Sequence, residues 1–212
     1  LHIDNNADIK VLMKDNTSTA SVKKQDRHAR QELIIDAAER VFATKPFDRV
    51  SMRDVAREAG ITHAAIYRYF PDQQAMFVSA FMRGSEKVIA FLRELVDDTK
   101  NISIEKVTEK FIGYLVDNDL YFRMMTHFML DGSLAGEMLE KLNTAERELF
   151  DQLDRLFVRM KVSGDTRMLS HAFFAAMNGV LISFRNYPGR DRAEVTGHMI
   201  KLGKIIAQKF KG

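Results

Sequence analysis

The sequence predicts an all-α protein of about nine helices, and three observations predict it. Beyond residue 25 apolar residues recur at spacings of three and four. No alternating apolar–polar run of useful length occurs. The only prolines, Pro46, Pro71 and Pro188, fall where helices should end or begin. With 212 residues, 46% of them hydrophobic, the chain is long and apolar enough to bury a core.

The elements follow in order. Residues 1–25 contain "KDNTSTASVKKQ", polar, rich in Ser and Thr and without helical period, and read as a disordered arm. A first helix is expected from about Arg27 to Thr44, with Ile34, Ala37, Ala38, Val41 and Phe42 on one face, stopped by Pro46. A second helix follows Ser51, an N-cap with Asp54 three residues on, and buries Met52, Val55, Ala56 and Ala59. Gly60 ends it, because glycine takes the left-handed conformation of a helix C-terminus without steric cost. Thr62 caps a third, short helix. Longer helices are expected over 72–96, 103–117, 120–130, 133–160, 165–187 and 190–210, broken at "DDTKNIS", "DGS", "KVSGD" and "YPGR".

Helices two and three, with the tight turn between them, make a helix-turn-helix. Ala56 is small where the two helices cross, Gly60 sits in the turn, and Ile66 points back into the core. Ile66 and Phe70 are four apart and face inward. His63 and Tyr67 are also four apart, as are Ala64 and Arg68, on the remaining faces. Tyr67 is expected to project outward, its hydroxyl toward a phosphate and its ring toward a thymine methyl or a sugar. Arg68 offers charge to a phosphate or a bidentate contact to guanine. Ala64 lets the helix approach a groove floor, and Thr62 at the helix start is within reach of the DNA backbone. A plain amphipathic helix whose tyrosines cover a core fits the same periodicity.

The segment "ELIIDAAERVFATKPFDRVSMRDVAREAGITHAAIYRYFPDQQAMF" resembles the DNA-binding domain of the tetracycline-repressor (TetR) family of bacterial regulators, most specifically in "DVAREAGI" and "IYRYFPD". The resemblance covers roughly residues 30 to 80. It implies a three-helix DNA-binding domain (26–71) on a larger helical ligand-binding and dimerisation domain (72–212). The DNA-contacting positions it implies are Ser51, Arg53, Thr62, His63, Ala64, Tyr67, Arg68, Tyr69 and Gln73. At Gln73 and His63 the family pattern often has lysine. Both departures remove charge, which Lys23, Lys24, Arg27 and Arg30 are placed to restore.

The remainder is rich in Phe and Met. "YFRMMTHFML" and "HAFFAAMNGVLISF" suit an adaptable apolar cavity, although any one of these side chains taken singly also fits plain core. The expected effector site is Phe111, Tyr114, Met125, Phe128, Phe173 and Met177, with His127 or Asn178 as polar anchor. The last two helices carry Val180, Leu181, Phe184, Val195, Met199, Leu202 and Ile206 at helical spacing. They are the expected homodimer surface, a four-helix bundle across a two-fold axis.

Other function classes find little support. With no cysteine there is no thiolate zinc site and no cysteine nucleophile, and a reducing cytoplasm fits that absence. The six histidines form no HExxH pair. Neither a glycine-rich phosphate loop nor a GxSxG elbow occurs, so no metal, cofactor or catalytic residue is expected and the chain does not read as an enzyme. No apolar run reaches membrane-spanning length, and "LHIDNNADIK" lacks the basic start and apolar core of a signal peptide. The net charge of +3 is compatible with nucleic acid but says less than where the charges sit. The expected function is that of a ligand-responsive, sequence-specific repressor, released from a palindromic double-stranded DNA operator by a small apolar or amphipathic effector. A helical protein-interaction scaffold that has lost specific DNA binding is the alternative.

Overall fold

A computed structural model describes residues 5–97, 103–130 and 134–210, with side chains from Val22 onward apart from Lys23. Among the described residues there are nine α-helices and no strand, so the all-α expectation holds. They are α1 (Asn5–Thr44), α2 (Met52–Glu58), α3 (His63–Ile66), α4 (Gln73–Asp97), α5 (Ile104–Asp117), α6 (Asp119–Leu130), α7 (Gly136–Arg159), α8 (Thr166–Phe184) and α9 (Arg192–Ala207), with 3₁₀ turns at Phe47–Arg49 and Gln208–Phe210. The breaks expected at "DDTKNIS" and "DGS" lie mostly outside the described residues.

The first difference from the sequence reading is the start of α1, at Asn5 where about Arg27 was expected. The buried stripe begins only at Ile34, and the described side chains from Val22 to Arg30 are all exposed. Hydrophobic periodicity reports burial, so a helix with no buried face leaves no periodic signal.

Two compact units divide the chain between Ala80 and Phe81, inside α4. The boundary lies beyond residue 71 because the first turns of α4 belong to the first core. Met76 and Phe77 are buried, and the Phe77 ring meets Phe42 of α1 and Phe47 at 5.0 and 4.5 Å between centroids. Ile34, Ala38, Val55, Ala56, Ile66 and Phe70 complete that core.

In the second unit α9 lies along α5, and α8 packs on both α7 and α9. The α5–α9 contact is close because Gly203 has no side chain: a Cβ there would sit 2.6 Å from Ile112 Cδ1 and 2.9 Å from Thr108 Cγ2. A cluster of Phe111, Phe157, Phe173 and Phe210 fills the centre, with neighbouring ring centroids 5.9 to 6.4 Å apart.

Candidate nucleic-acid interface and apolar cavity

The helix-turn-helix is built by caps. Ser51 Oγ accepts from the Asp54 backbone N–H at 3.2 Å, and Asp54 Oδ2 accepts from the Ser51 N–H at 3.1 Å, a complete capping box. Lys45 Nζ and Arg57 Nη2 also reach Asp54 Oδ1, at 2.8 and 3.1 Å. The hydrogen bond from Lys45, and then that from Ser51, lower the Asp54 carboxyl to a pKa of about 2. At the other end of α2 the Ile61 N–H donates to the Ala56 carbonyl at 2.9 Å and the Gly60 N–H to Arg57 at 3.2 Å. This pair of bonds requires a left-handed residue at Gly60, whose φ is +68°. Thr62 Oγ1 then accepts from the Ala65 N–H at 3.2 Å and starts α3.

Helix α3 is a single turn. The chain continues through Phe70 in tight turns, with Tyr69 N–H and Phe70 N–H both donating to the Ile66 carbonyl. Pro71 disfavours helical backbone at Phe70, so the helix does not resume before it. The carbonyls left over at Arg68 and Tyr69 are received by α1, by Arg27 Nη2 at 3.3 Å and Gln31 Nε2 at 3.4 Å. Ile66 and Phe70 anchor the turn at 0% and 4% exposure, while Thr62, His63, Ala64, Tyr67 and Arg68 are exposed and Tyr69 is half-buried. The result is a rigid, outward face of five side chains, with exposed Arg53 on neighbouring α2.

Three groups are committed differently from expectation. The Tyr67 hydroxyl lies 3.4 Å from His63 Nε2, the two rings edge to face, so the pair forms one surface unit. Gln73 Nε2 donates to the Phe47 carbonyl at 3.1 Å and stitches α4 to the 3₁₀ turn. Among the supporting cations Arg27 serves the Arg68 carbonyl and Arg30 pairs with Asp26, while Lys24 is exposed and the Lys23 side chain lies outside the described residues.

The second unit holds a cavity of about 340 Å³. Helix α4 contributes Phe81 and Ser85; α6 contributes Tyr121, Met125, Phe128 and Met129. Helix α7 supplies Leu139, Leu142, Asn143, Ala145, Glu146 and Leu149, and α8 supplies Phe174. Phe81 stacks on Tyr121 at 5.3 Å and meets Phe128 edge-on at 5.0 Å. Tyr121 fits there because Gly84 leaves room, its ring edge lying 2.6 Å from where a Cβ would be. Burial raises the Tyr121 hydroxyl's pKa well above its ordinary value, and a hydrogen bond joins it to Ser85.

Of the eight expected effector residues, the structure brings Met125 and Phe128 to this cavity. Phe111, Phe173 and Met177 are at most 1% exposed, inside the central core. Tyr114 stacks on Phe91 at 4.3 Å, and burial raises its hydroxyl's pKa. His127 sets its ring against Phe128 from outside the cavity wall. Asn178 turns its amide N–H back to the Phe174 carbonyl at 2.9 Å, leaving a buried Oδ1 with no partner among the described residues. The lining residues not expected are Phe81, Ser85, Tyr121, Met129, Phe174 and all six of α7. On α7 the signal is Leu139, Leu142, Ala145 and Leu149 at spacings of three and four, with charged residues interspersed among them.

Four of the seven residues of the expected dimer surface are buried within the single chain. Val180, Leu181, Val195 and Met199 are 1–5% exposed within a single chain, Leu202 and Ile206 are half-covered, and Phe184 lies against His198. They face α5 and each other, and the helical period that picked them out is that of the chain's own core. The outward stripe of α8 is Met168, Ala172, Ala175, Gly179 and Ile182; Ile205 is an exposed large apolar residue of α9.

Residues 34–80 match the family model of the bacterial regulatory proteins of the tetR family. A nucleoid occlusion factor, SlmA, of a Marinomonas species is 26% identical over 63% of this chain, and the match spans 65% of that relative's length, just under two thirds. An uncharacterised helix-turn-helix transcriptional regulator, YfiR of Bacillus subtilis, is 23% identical over 83% of this chain and 89% of its own. Among solved structures, the regulator FadR of Bacillus subtilis in complex with stearoyl-CoA superposes with a TM-score of 0.64 at 18% identity, covering 81% of this chain and 96% of that one. A tetR-family regulator of Mesorhizobium loti gives a TM-score of 0.66 at 15% identity over 86% and 97%. At these identities the structural likeness carries the fold. Among the described residues no helix is long and apolar enough to cross a membrane.

Proposed function

The chain belongs, by its helix-turn-helix unit, to the tetR family of bacterial regulatory proteins, and on that premise we propose that it is a homodimeric, ligand-responsive repressor that reads a palindromic DNA operator. The observation that carries the reading is the face formed by α3 and the turns that follow it. Ile66 and Phe70 are sealed into the core, while His63, Ala64, Tyr67 and Arg68 stand exposed beside Arg53. A buried anchor under an outward polar and aromatic face is what a helix needs to enter a major groove without deforming. Arg53 and Arg68 bring charge to phosphate or guanine, and the His63–Tyr67 pair meets bases or sugar as a unit.

The dimer axis is assigned to the outward stripe of α8. Small residues at Ala172, Ala175 and Gly179 let two copies approach closely, with Met168, Ile182 and Ile205 as apolar contacts. A two-fold pair would set the reading heads in successive major grooves about 34 Å apart. The 340 Å³ cavity is the effector site. Helix α4 serves both ends of the mechanism: Met76 and Phe77 belong to the reading-head core, while Phe81 and Ser85 line the cavity. An effector that prefers one setting of α4 shifts the population of DNA-competent dimers. A tenfold change in occupancy needs about 1.4 kcal/mol of preference. The amphipathic ligand named for the Bacillus subtilis FadR structure supports an effector of small-molecule size.

Selection of random duplexes by the purified protein at about 100 mM salt tests the reading. A palindrome should be enriched by the wild type and not by Tyr67→Ala. The scaffold reading has one observation in its favour: the Tyr67 hydroxyl and the Gln73 amide are both engaged within the domain. A folded dimer that enriches nothing, and whose DNA affinity does not fall with salt, would decide for it.

A further inference from the structure

Resting on the assignment of the cavity as the effector site, we infer that its occupant is an apolar organic cation, and that Glu146 selects it over an anion of the same size. The cavity walls are mostly aromatic and aliphatic, and the polar lining groups are Ser85, Tyr121, Asn143 and Glu146. Among the described residues Glu146 is the only charged one in that lining, and no Lys, Arg or His contributes to it.

Its own helix does not neutralise it. The residues three and four away, which share its face, are Leu142, Asn143, Leu149 and Phe150. The nearest cations in sequence are otherwise engaged: Lys141 Nζ holds Glu137 Oε1 at 2.8 Å, and Arg147 Nη2 donates to Thr144 Oγ1 at 3.0 Å. No ion pair to Glu146 is formed among the described residues. At the buried end Tyr121 and Ser85 are hydrogen-bonded to each other, and Ser85 Oγ also donates to the Phe81 carbonyl at 3.0 Å, so this end is polar but neutral. A carboxylate at the rim of a low-dielectric pocket attracts a cation entering it and repels an anion, and the wall strengthens both effects over their value in water. Asn143, one turn back, offers an amide oxygen to the same head group. A fatty tail with an anionic head would meet like charge here.

The test uses one tail and three heads: octyltrimethylammonium, 1-octanol and octyl sulfate, each titrated calorimetrically, below its micelle concentration, into the full-length protein. The cation should bind at least about tenfold more tightly than the sulfate, with the alcohol between them. Glu146 is exposed, so substituting it leaves the core intact. Glu146→Gln should compress the cation-to-anion ratio to under about threefold, and Glu146→Lys should reverse it. Equal or tighter binding of the sulfate, a ratio untouched by Glu146→Gln, or no binding of any of the three would overturn the inference. Adding each compound to protein bound to its selected duplex separates the two readings. Cation binding without DNA release leaves charge selection standing and removes the effector role. Release by the sulfate alone removes charge selection and leaves the effector role.

Discussion

The two units shape their candidate surfaces by different means. In the first, the bonds that shape α2, the turn and α3 close over three to five residues: Ser51 with Asp54, Ala56 with Ile61, Thr62 with Ala65. In the second, the cavity exists because four helices distant in sequence meet around Tyr121, and nothing local determines where its walls fall. A surface built from caps is encoded where it stands. A cavity is the space that packing leaves, so each of its walls depends on cores elsewhere in the unit.

Substitutions can break that contrast, and the largest effect is expected in the second core. Phe173 is fully buried against Phe111, Phe157 and Phe210, so Phe173→Ala should destabilise by about 3–5 kcal/mol in denaturant unfolding. If it left stability intact and abolished effector binding, Phe173 would be a cavity residue after all. Next come two glycines that matter for opposite reasons. Gly203→Val drives side-chain atoms into Ile112 and Thr108 and should cost about 1–3 kcal/mol. At position 60 a Cβ meets no atom within 4 Å, but Gly60→Val must hold a φ of +68°, at about 1–2 kcal/mol. Asparagine should recover most of the loss at position 60 and none at 203, since it tolerates left-handed backbone but not a clash. Thermal melts of the four variants make the comparison.

A smaller loss, about 1 kcal/mol, is expected for Ser51→Ala, which removes one half of the capping box. The smallest effect is a pH dependence. The Asp54 carboxyl is lowered in the folded state from 3.8 to about 2. Its contribution is therefore complete above the unfolded value and lost as pH falls from about 4 through 2. The stability difference between wild type and Asp54→Asn should be constant above about pH 5 and close toward pH 2. A difference that grew on acidification would put the hydrogen bonds from Lys45 and Ser51 on the wrong side of the balance.

How much was legible differs in the same way between the units. Ser51, Gly60 and Thr62 were readable as caps because capping depends on residue type at fixed short spacing, and the outward His63–Tyr67 face followed from Ile66 and Phe70 facing in. Val180, Leu181, Val195 and Met199 were readable as buried but not as buried against α5 and one another, since periodicity names the covered face and not what covers it. The α7 wall of the cavity was hidden by its charged neighbours, and the one-turn length of α3 by the single helix-like pattern running up to Pro71.

The sequence by itself determined the helical class, the helix-turn-helix, its caps and the side chains that it turns outward, because each of these is settled by chemistry within about five residues. Only the tertiary structure decided which apolar stripes are core, which face of α8 is left exposed, that Gln73 is bound to Phe47, and that Glu146 stands at the rim of an apolar cavity. Those facts depend on which distant helices meet, and burial of apolar area is non-directional: it drives helices together without specifying, residue by residue, the neighbour each one finds.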